Sequence, residues 1–249
     1  MSEDRTSTRG RFWVITAAAL IGIAVTTALG FWQLGRANEK LSLQAAIDGR
    51  RAMAPLTAQA LVQPLAEIVH RPIVLRGTWL PDLTVFLDNR QMQGKPGFYV
   101  LTPLKLEGSA RAVLVERGWA QRNFMDRTQL PPVETPAGIV EVRGRVAPPP
   151  AKLYELGAAP GGAIRQNLDL ALFRSETGLD LPDLTVQQLG EASEGLLRNW
   201  PQPATGVEKH YGYLFQWWAL ALVIAILYAW FQFIAPRRRQ RRVGQSHHA

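Results

Sequence analysis

Four histidines occur in the chain, and two of them, His247 and His248, belong to its last three residues, which leaves His70 and His210 as the imidazoles of its body. His210 stands at the threshold of an uncharged apolar run, Tyr211 to Ala235. At helical spacing His210, Tyr213, Trp217, Leu220, Ile224 and Tyr228 fall on one broad face. A neutral imidazole among aromatic rings can take an axial position on a haem iron, with the rings packing on the macrocycle. Spacing alone favours the plainer reading, an ordinary histidine at a membrane surface.

Other chemistry finds little support. No G-x-S-x-G, H-E-x-x-H or phosphate-cradling glycine loop is present. Asp82 and Asp88 straddle a turn and a strand and read as a solvated pair, not an acid/base dyad. Arg90, Arg117 and Arg122 recur near strand ends, where they form ion pairs or meet an anion such as a propionate. The chain holds no cysteine, so disulfides, thiol catalysis, Cys-bound zinc, iron–sulfur clusters and covalent c-type haem are excluded. Nothing here calls for an enzyme.

The elements that must position His210 begin with two apolar stretches. The first runs from Phe12 to Leu34 between Arg11 and Arg36; the second ends at Pro236 and Arg237, Arg238, Arg239, Arg241 and Arg242. Each exceeds the roughly 20 apolar residues that cross a bilayer core as a helix. Arg5, Arg9 and Arg11 before the first span and the arginines after the second predict both termini on the cytoplasmic side. A cleavable signal peptide fits the first stretch less well: the run is too long, and Ala28-Leu29-Gly30 is the nearest approach to a cleavage site. Trp13 and Trp32 bracket the first span, and Trp217, Trp218 and Trp230 the second, as interfacial anchors do. Ala18, Gly22, Thr26 and Gly30 recur every four residues and predict close packing of the spans, or of one span on another membrane protein.

Residues 36 to 209 carry 20 Lys and Arg against 18 Asp and Glu, so the net charge of +8 is mainly a topological signal, and nucleic acid is not expected as a partner. Arg36 to Arg50 reads as a polar helix continuing out of the first span, and Thr57 to Gln63 as a second short helix. Strand patterns cover Ile73–Trp79, Thr84–Asp88, Phe98–Leu104, Ala112–Trp119, Ile139–Ala147, Ala163–Asn167 and Leu184–Gln188. Turn clusters at Gly94-Lys95-Pro96-Gly97, Glu107-Gly108-Ser109 and Pro148 to Pro150 separate them. Asp169 looks like the N-cap of a helix ending near Gly178, and residues 190 to 209 like an ordered lead-in to the second span. The fold class expected is an α+β membrane protein: terminal helices 12–34 and 210–235, tails 1–11 and 236–249, and between them a mostly antiparallel, sheet- or barrel-like β domain, 35–209, with short helices.

At this point the residues resemble a family. Gly30-Phe31-Trp32-Gln33-Leu34-Gly35-Arg36 with Lys40 is similar to the signature closing the first span of the surfeit locus protein one family, the cytochrome c oxidase assembly factors. Arg71 to Trp79, Leu87-Asp88-Asn89-Arg90 through Thr102-Pro103-Leu104, and Val115-Glu116-Arg117-Gly118-Trp119 resemble its successive strand blocks, with Glu116 where Asn often stands. His210, Gly212, Tyr213, Trp217, Trp218, Leu220 and Ala221 resemble its carboxy-terminal motif, with Lys209 and Leu214 replacing the common Asn and Ala.

The resemblance implies a bacterial inner-membrane protein with a periplasmic domain that assists maturation of haem–copper terminal oxidases by handling haem a. It implies His210 as ligand to the iron. Tyr213 and Trp217 would pack on the cargo, with Trp32 and Arg36 supporting the site at matching depth on the first helix. The expected partners are oxidase subunit I, other assembly factors, the haem a synthesis enzymes and membrane lipid. A competing expectation is a scaffold that binds no haem and holds an assembly intermediate through surfaces around Trp79, Trp119 and the prolines.

Overall fold

The computed structural model describes residues 3–126, 129–154, 162–201 and 206–237; Arg238, Arg239, Arg241 and Arg242 lie outside them. The chain divides into two compact units. One holds the first helix as far as Ala45 together with the last helix, and the other holds Ala46–Pro203.

In the first unit, α1 (Glu3–Arg51) runs unbroken for 49 residues. The polar continuation after Leu34 stays helical because it is rich in Ala, Glu, Lys, Leu and Gln, and it stops short of Pro55, which bars helix at the residue before it. α4 (Val207–Ala229) starts after Gly206, whose φ of 57° suits glycine, and closes in a π-helical turn at Trp230–Ile234. Both helices are long and apolar enough to cross a membrane, each with a window of mean hydropathy 2.1.

The two helices pack antiparallel through the small-residue stripe. Thr26 is buried, a Cβ on Gly22 would touch Ile224 at 3.4 Å, and one on Gly30 would lie 2.1 Å from the Trp218 indole nitrogen. Trp218 therefore occupies the space that only glycine leaves at position 30. Long helical side chains lean toward their helix N-terminus, which carries this indole back over the preceding turn.

The second unit is a small barrel. Its strands are β1 (Pro72–Trp79), β2 (Val85–Met92), β3 (Lys95–Leu106), β4 (Ala112–Gln121), β5 (Ile139–Ala147), β6 (Ile164–Arg165) and β7 (Thr185–Gln188). They are ordered β1-β5-β7-β4-β3-β2-β6, and a further β1–β3 pairing closes the first five into a ring. Most pairings are antiparallel; β4–β7 and β2–β6 are parallel. Ile73, Leu75, Trp79, Leu104, Val113, Val115, Val142, Val146 and Val186 fill the interior. α2 (Leu65–Ile68) and a 3-10 turn at Ala58–Val62 add Ile68 and Leu61 to it. α3 (Leu170–Thr177) covers the opposite face of β2–β4 through Leu170 and Phe173. Its N-cap is Asp169, whose carboxylate accepts from the Ala171 and Leu172 amides, and Gly178 ends it in the left-handed conformation.

Several expectations need correcting. Gly94-Lys95-Pro96-Gly97 is not a loop: the hairpin turn is Gln93-Gly94, with φ of 52° and 76°, and Met92 already faces Lys95. A two-residue turn with both φ positive matches strand twist and lets β3 begin at once. β2 extends past Asp88 because a bulge there, with Asn89 at φ 59°, restores pairing at Arg90. Residues 190 to 201 are no lead-in to the helix. Leu197 bridges Trp119, Leu196 is core, and Trp200 is buried with its ring edge-on to Tyr99 at 5.2 Å. Trp79 and Trp119 are buried too, so they offer no docking surface.

Candidate functional site

His210 Nδ1 lies 2.7 Å from Gln33 Oε1. With the amide oxygen as acceptor, Nδ1 carries the proton and the Nε2 lone pair is left free. This is the arrangement by which a hydrogen-bond partner orients a metal-binding histidine and selects its tautomer. Gln33 is buried on the face of α1 that also carries Thr26, Gly30 and Ala37, at the three-and-four spacing of packed helices.

A second polar contact pins the hairpin at its other end, where the Tyr228 hydroxyl meets Thr16 Oγ1 at 2.9 Å while Thr16 donates to the Phe12 carbonyl. Seventeen residues of α1 separate Thr16 from Gln33 and eighteen of α4 separate His210 from Tyr228. At about 1.5 Å per residue these spacings are about 26 and 27 Å, close to the thickness of a bilayer core.

Not all the expected site residues gather around His210. Trp217 is half-buried on the packed face, with Leu214, Ala221, Ile224 and Tyr228. Tyr213 is 53 % exposed and Leu220 also points outward. The seam of α4 follows positions 210, 214, 217, 221, 224 and 228, so it keeps four of the expected positions and takes Leu214 and Ala221 in place of Tyr213 and Leu220. Trp32 is 56 % exposed, and Arg36 stacks over it at 5.9 Å while pairing with Glu39 at 2.9 Å. One residue along a helix is a rotation of about 100°, so Trp32 and Arg36 flank the seam that Gln33 and Ala37 occupy. Gln33 is thus the residue that sequence reasoning passed over, although it sits inside the Trp32–Arg36 motif. A buried amide between two apolar turns was the signal for it.

The three arginines singled out for anions are engaged within the barrel. Arg117, fully buried, donates to Glu194 Oε2 at 2.7 Å, to Thr135 Oγ1 at 2.7 Å and to the Glu134 carbonyl at 2.6 Å, and lies 4.7 Å over the Trp79 ring. Arg90 donates to the Ala151 and Gln166 carbonyls, and Arg122 pairs with Asp88 at 3.4 Å. Their role is structural. Among the described residues no group of three or more His, Cys, Asp or Glu is placed to hold a metal ion.

Comparison with known proteins bears on this geometry. The model of the SURF1 family matches residues 20–222, from within the first helix to within the second. A SURF1-like protein of Rickettsia felis is 29 % identical over 224 residues, covering 84 % of this chain and 92 % of its own length. The cytochrome oxidase assembly protein SHY1 of Saccharomyces cerevisiae is 29 % identical over 93 residues, covering 36 % of this chain and 24 % of its own. Surfeit locus protein 1 of Arabidopsis thaliana is 29 % identical over 133 residues, 49 % of this chain and 37 % of its own.

Proposed function

The chain belongs to the SURF1 family, and on that premise we propose that it is a cytochrome oxidase assembly factor of the bacterial inner membrane that carries haem a and assists its insertion into oxidase subunit I. α1 and α4 span the bilayer with both termini in the cytoplasm, and the barrel faces the periplasm. Haem a is the cargo: it has a long apolar tail and two propionates, so it partitions to the membrane with its charged edge at the interface. His210 offers Nε2 to the iron while Gln33 holds the ring by Nδ1. Trp217 supplies an apolar wall beside it, and the outward faces of Tyr213, Trp32 and Arg36 meet the periphery of the cargo. One axial nitrogen, not two, binds tightly enough to carry and loosely enough to release. The reading involves other assembly factors and the enzymes that make haem a as partners, and no bond-making step.

The observation that carries it is the Gln33–His210 hydrogen bond. It joins two motifs at opposite ends of the chain and leaves free the one nitrogen the chemistry needs. The test is the reduced-minus-oxidised spectrum of detergent-purified protein co-expressed with haem a synthesis enzymes. A haem a band is expected in the wild type and its loss in His210→Ala. In Gln33→Ala, affinity should fall about 10- to 100-fold, as for other partners of metal-binding histidines, while barrel melting stays unchanged. A featureless wild-type spectrum from folded, monodisperse protein overturns the haem reading and leaves a scaffold for an assembly intermediate.

A further inference from the structure

A row of polar side chains crosses the outside of the barrel. The strand registers set Leu101 opposite Glu116, Glu116 opposite Gln187, Gln187 opposite Arg145, and Arg145 opposite Pro72. Gln187 Nε2 donates to Glu116 Oε2 at 3.1 Å, and its Oε1 accepts from Arg145 at 2.7 Å. Glu116 is 2 % exposed. Its other oxygen lies 2.6 Å from Thr185 Oγ1, which is also 3.1 Å from the Pro148 carbonyl oxygen. One hydroxyl proton cannot serve both oxygens, and a protonated Glu116 donating to Thr185 satisfies the whole chain. Burial favours that form, holding the Glu116 carboxyl above the usual glutamate range against the hydrogen bonds from Thr185 and Gln187. The direct partner of Arg145 in this row is the neutral Gln187 amide, which holds the guanidinium in position.

At the open end of the row the cations accumulate. Residues 50–56 are pinned to the start of β1: the Leu56 amide donates to the Pro72 carbonyl at 2.8 Å, and Arg71 to the Ala54 carbonyl at 3.2 Å. The His70 amide donates to the Val146 carbonyl at 2.9 Å, which sets His70 beside Arg145. His70 holds a left-handed backbone at φ 70°, a strained conformation for a residue with a Cβ. Arg50, Arg51, His70, Arg71 and Arg145 are each part-buried there. Burial and the charges of Arg145, Arg51 and Arg50 push the His70 imidazole below its ordinary value. Of the nearby carboxylates, Asp48 pairs with Arg51 at 3.3 Å with its own side chain 55 % exposed, and Glu67 on α2 is exposed.

The geometry points to an anion site formed by Arg50, Arg51, His70 and Arg145, suited to a phosphate oxyanion carried by either a lipid headgroup or a soluble phosphate ester. Guanidinium forks match tetrahedral oxyanions, and Gln187 holds that of Arg145 in place. A bound oxyanion would offset the mutual repulsion of these cations and draw a proton onto His70, so affinity rises as pH falls. The site is independent of the haem reading.

The probe is inorganic sulfate, a dianion that does not titrate in this range, added to the full-length protein in nanodiscs and followed by calorimetry. Saturable binding is expected, about tenfold weaker in Arg145→Gln, the scale of one charge-assisted hydrogen bond. Arg50→Gln, whose side chain makes no described contact, should weaken binding without any effect on folding. Affinity should rise from about pH 7.5 to about pH 5.5, and His70→Gln should abolish that rise. Sulfate binding in phosphatidylcholine discs that disappears in discs containing phosphatidylglycerol identifies the ligand as a lipid headgroup. Equal binding in both identifies a soluble ester. Absence of saturable binding, or binding that Arg145→Gln and Arg50→Gln leave unchanged, overturns the site.

Discussion

The helix pair and the barrel treat polar groups in opposite ways. Between Thr16 and Gln33 the helix seam is built from small residues and apolar side chains, with its interhelical hydrogen bonds at the two ends, while apolar side chains such as Val25, Phe31, Leu222 and Ile226 face outward uncovered. The barrel encloses charge: Arg117 lies at its centre with four oxygen and ring partners, and Glu116 is buried in a hydrogen-bonded row. In lipid, helices have no hydrophobic reason to associate and depend on close approach, which Gly22 and Gly30 permit in this pair. In water the barrel gains from burial and can hold an ion pair if every lone pair and proton is met. The difference places the enclosed polar network in the barrel and leaves apolar flanks of the helices exposed.

Arg117→Ala should have the largest effect. It leaves the part-buried Glu194 with Arg198 alone, strips the Thr135 hydroxyl and Glu134 carbonyl of their donor and removes the cation from Trp79, costing the barrel about 3–5 kcal/mol. Urea unfolding measures that loss, and the contrast fails if the helix pair loosens by as much. Gly30→Leu tests the other side. Displacing Trp218 should cost about 1–3 kcal/mol of helix packing and leave barrel melting unchanged. Because the chain has no cysteine of its own, thiol cross-linking between cysteines placed at Thr16 and Tyr228 reports the spread directly.

Glu116→Gln sharpens the account of the buried row. The raised carboxyl binds its proton more tightly folded than unfolded, so wild-type stability should decline as pH climbs from the usual glutamate range through the raised value. The variant should lack that decline in a pH series of melting curves. Asp169→Ala should have the smallest effect, about 1 kcal/mol from the lost cap of α3, visible as a small shift in the urea midpoint with the helix pair untouched.

Much of this architecture was legible locally. Alternation marked β1 and β5 nearly to the residue, and Asp169 with Gly178 bounded α3, because capping and strand faces depend on neighbours a few positions away. The two apolar runs and the glycine stripe were legible for the same reason. The turn at Gln93-Gly94 was misplaced because prolines and glycines on its far side were the louder signal, whereas two positive φ angles in the preceding pair made the turn. The face of α4 was legible at four positions, while Tyr213 and Leu220 turned outward in favour of Leu214 and Ala221, since a single helix does not reveal which edge of the stripe its partner covers.

His210 was conspicuous as a lone imidazole before an apolar run, and its family motif drew attention to Trp32 and Arg36. Its actual partner is 177 positions away. No periodicity within either helix specifies that Gln33, and not its neighbours, faces the ring; that depends on the register of two antiparallel helices, set where Trp218 enters the space at Gly30. The ring closure between β1 and β3, the burial of Trp79 and Trp119, and the buried Glu116 bonded to Gln187 have the same origin. Residue types and short spacings determine which elements form and which faces are apolar, because those preferences act over one or two turns. Which polar group meets which is decided by packing across the whole chain, where each element's position depends on all the others.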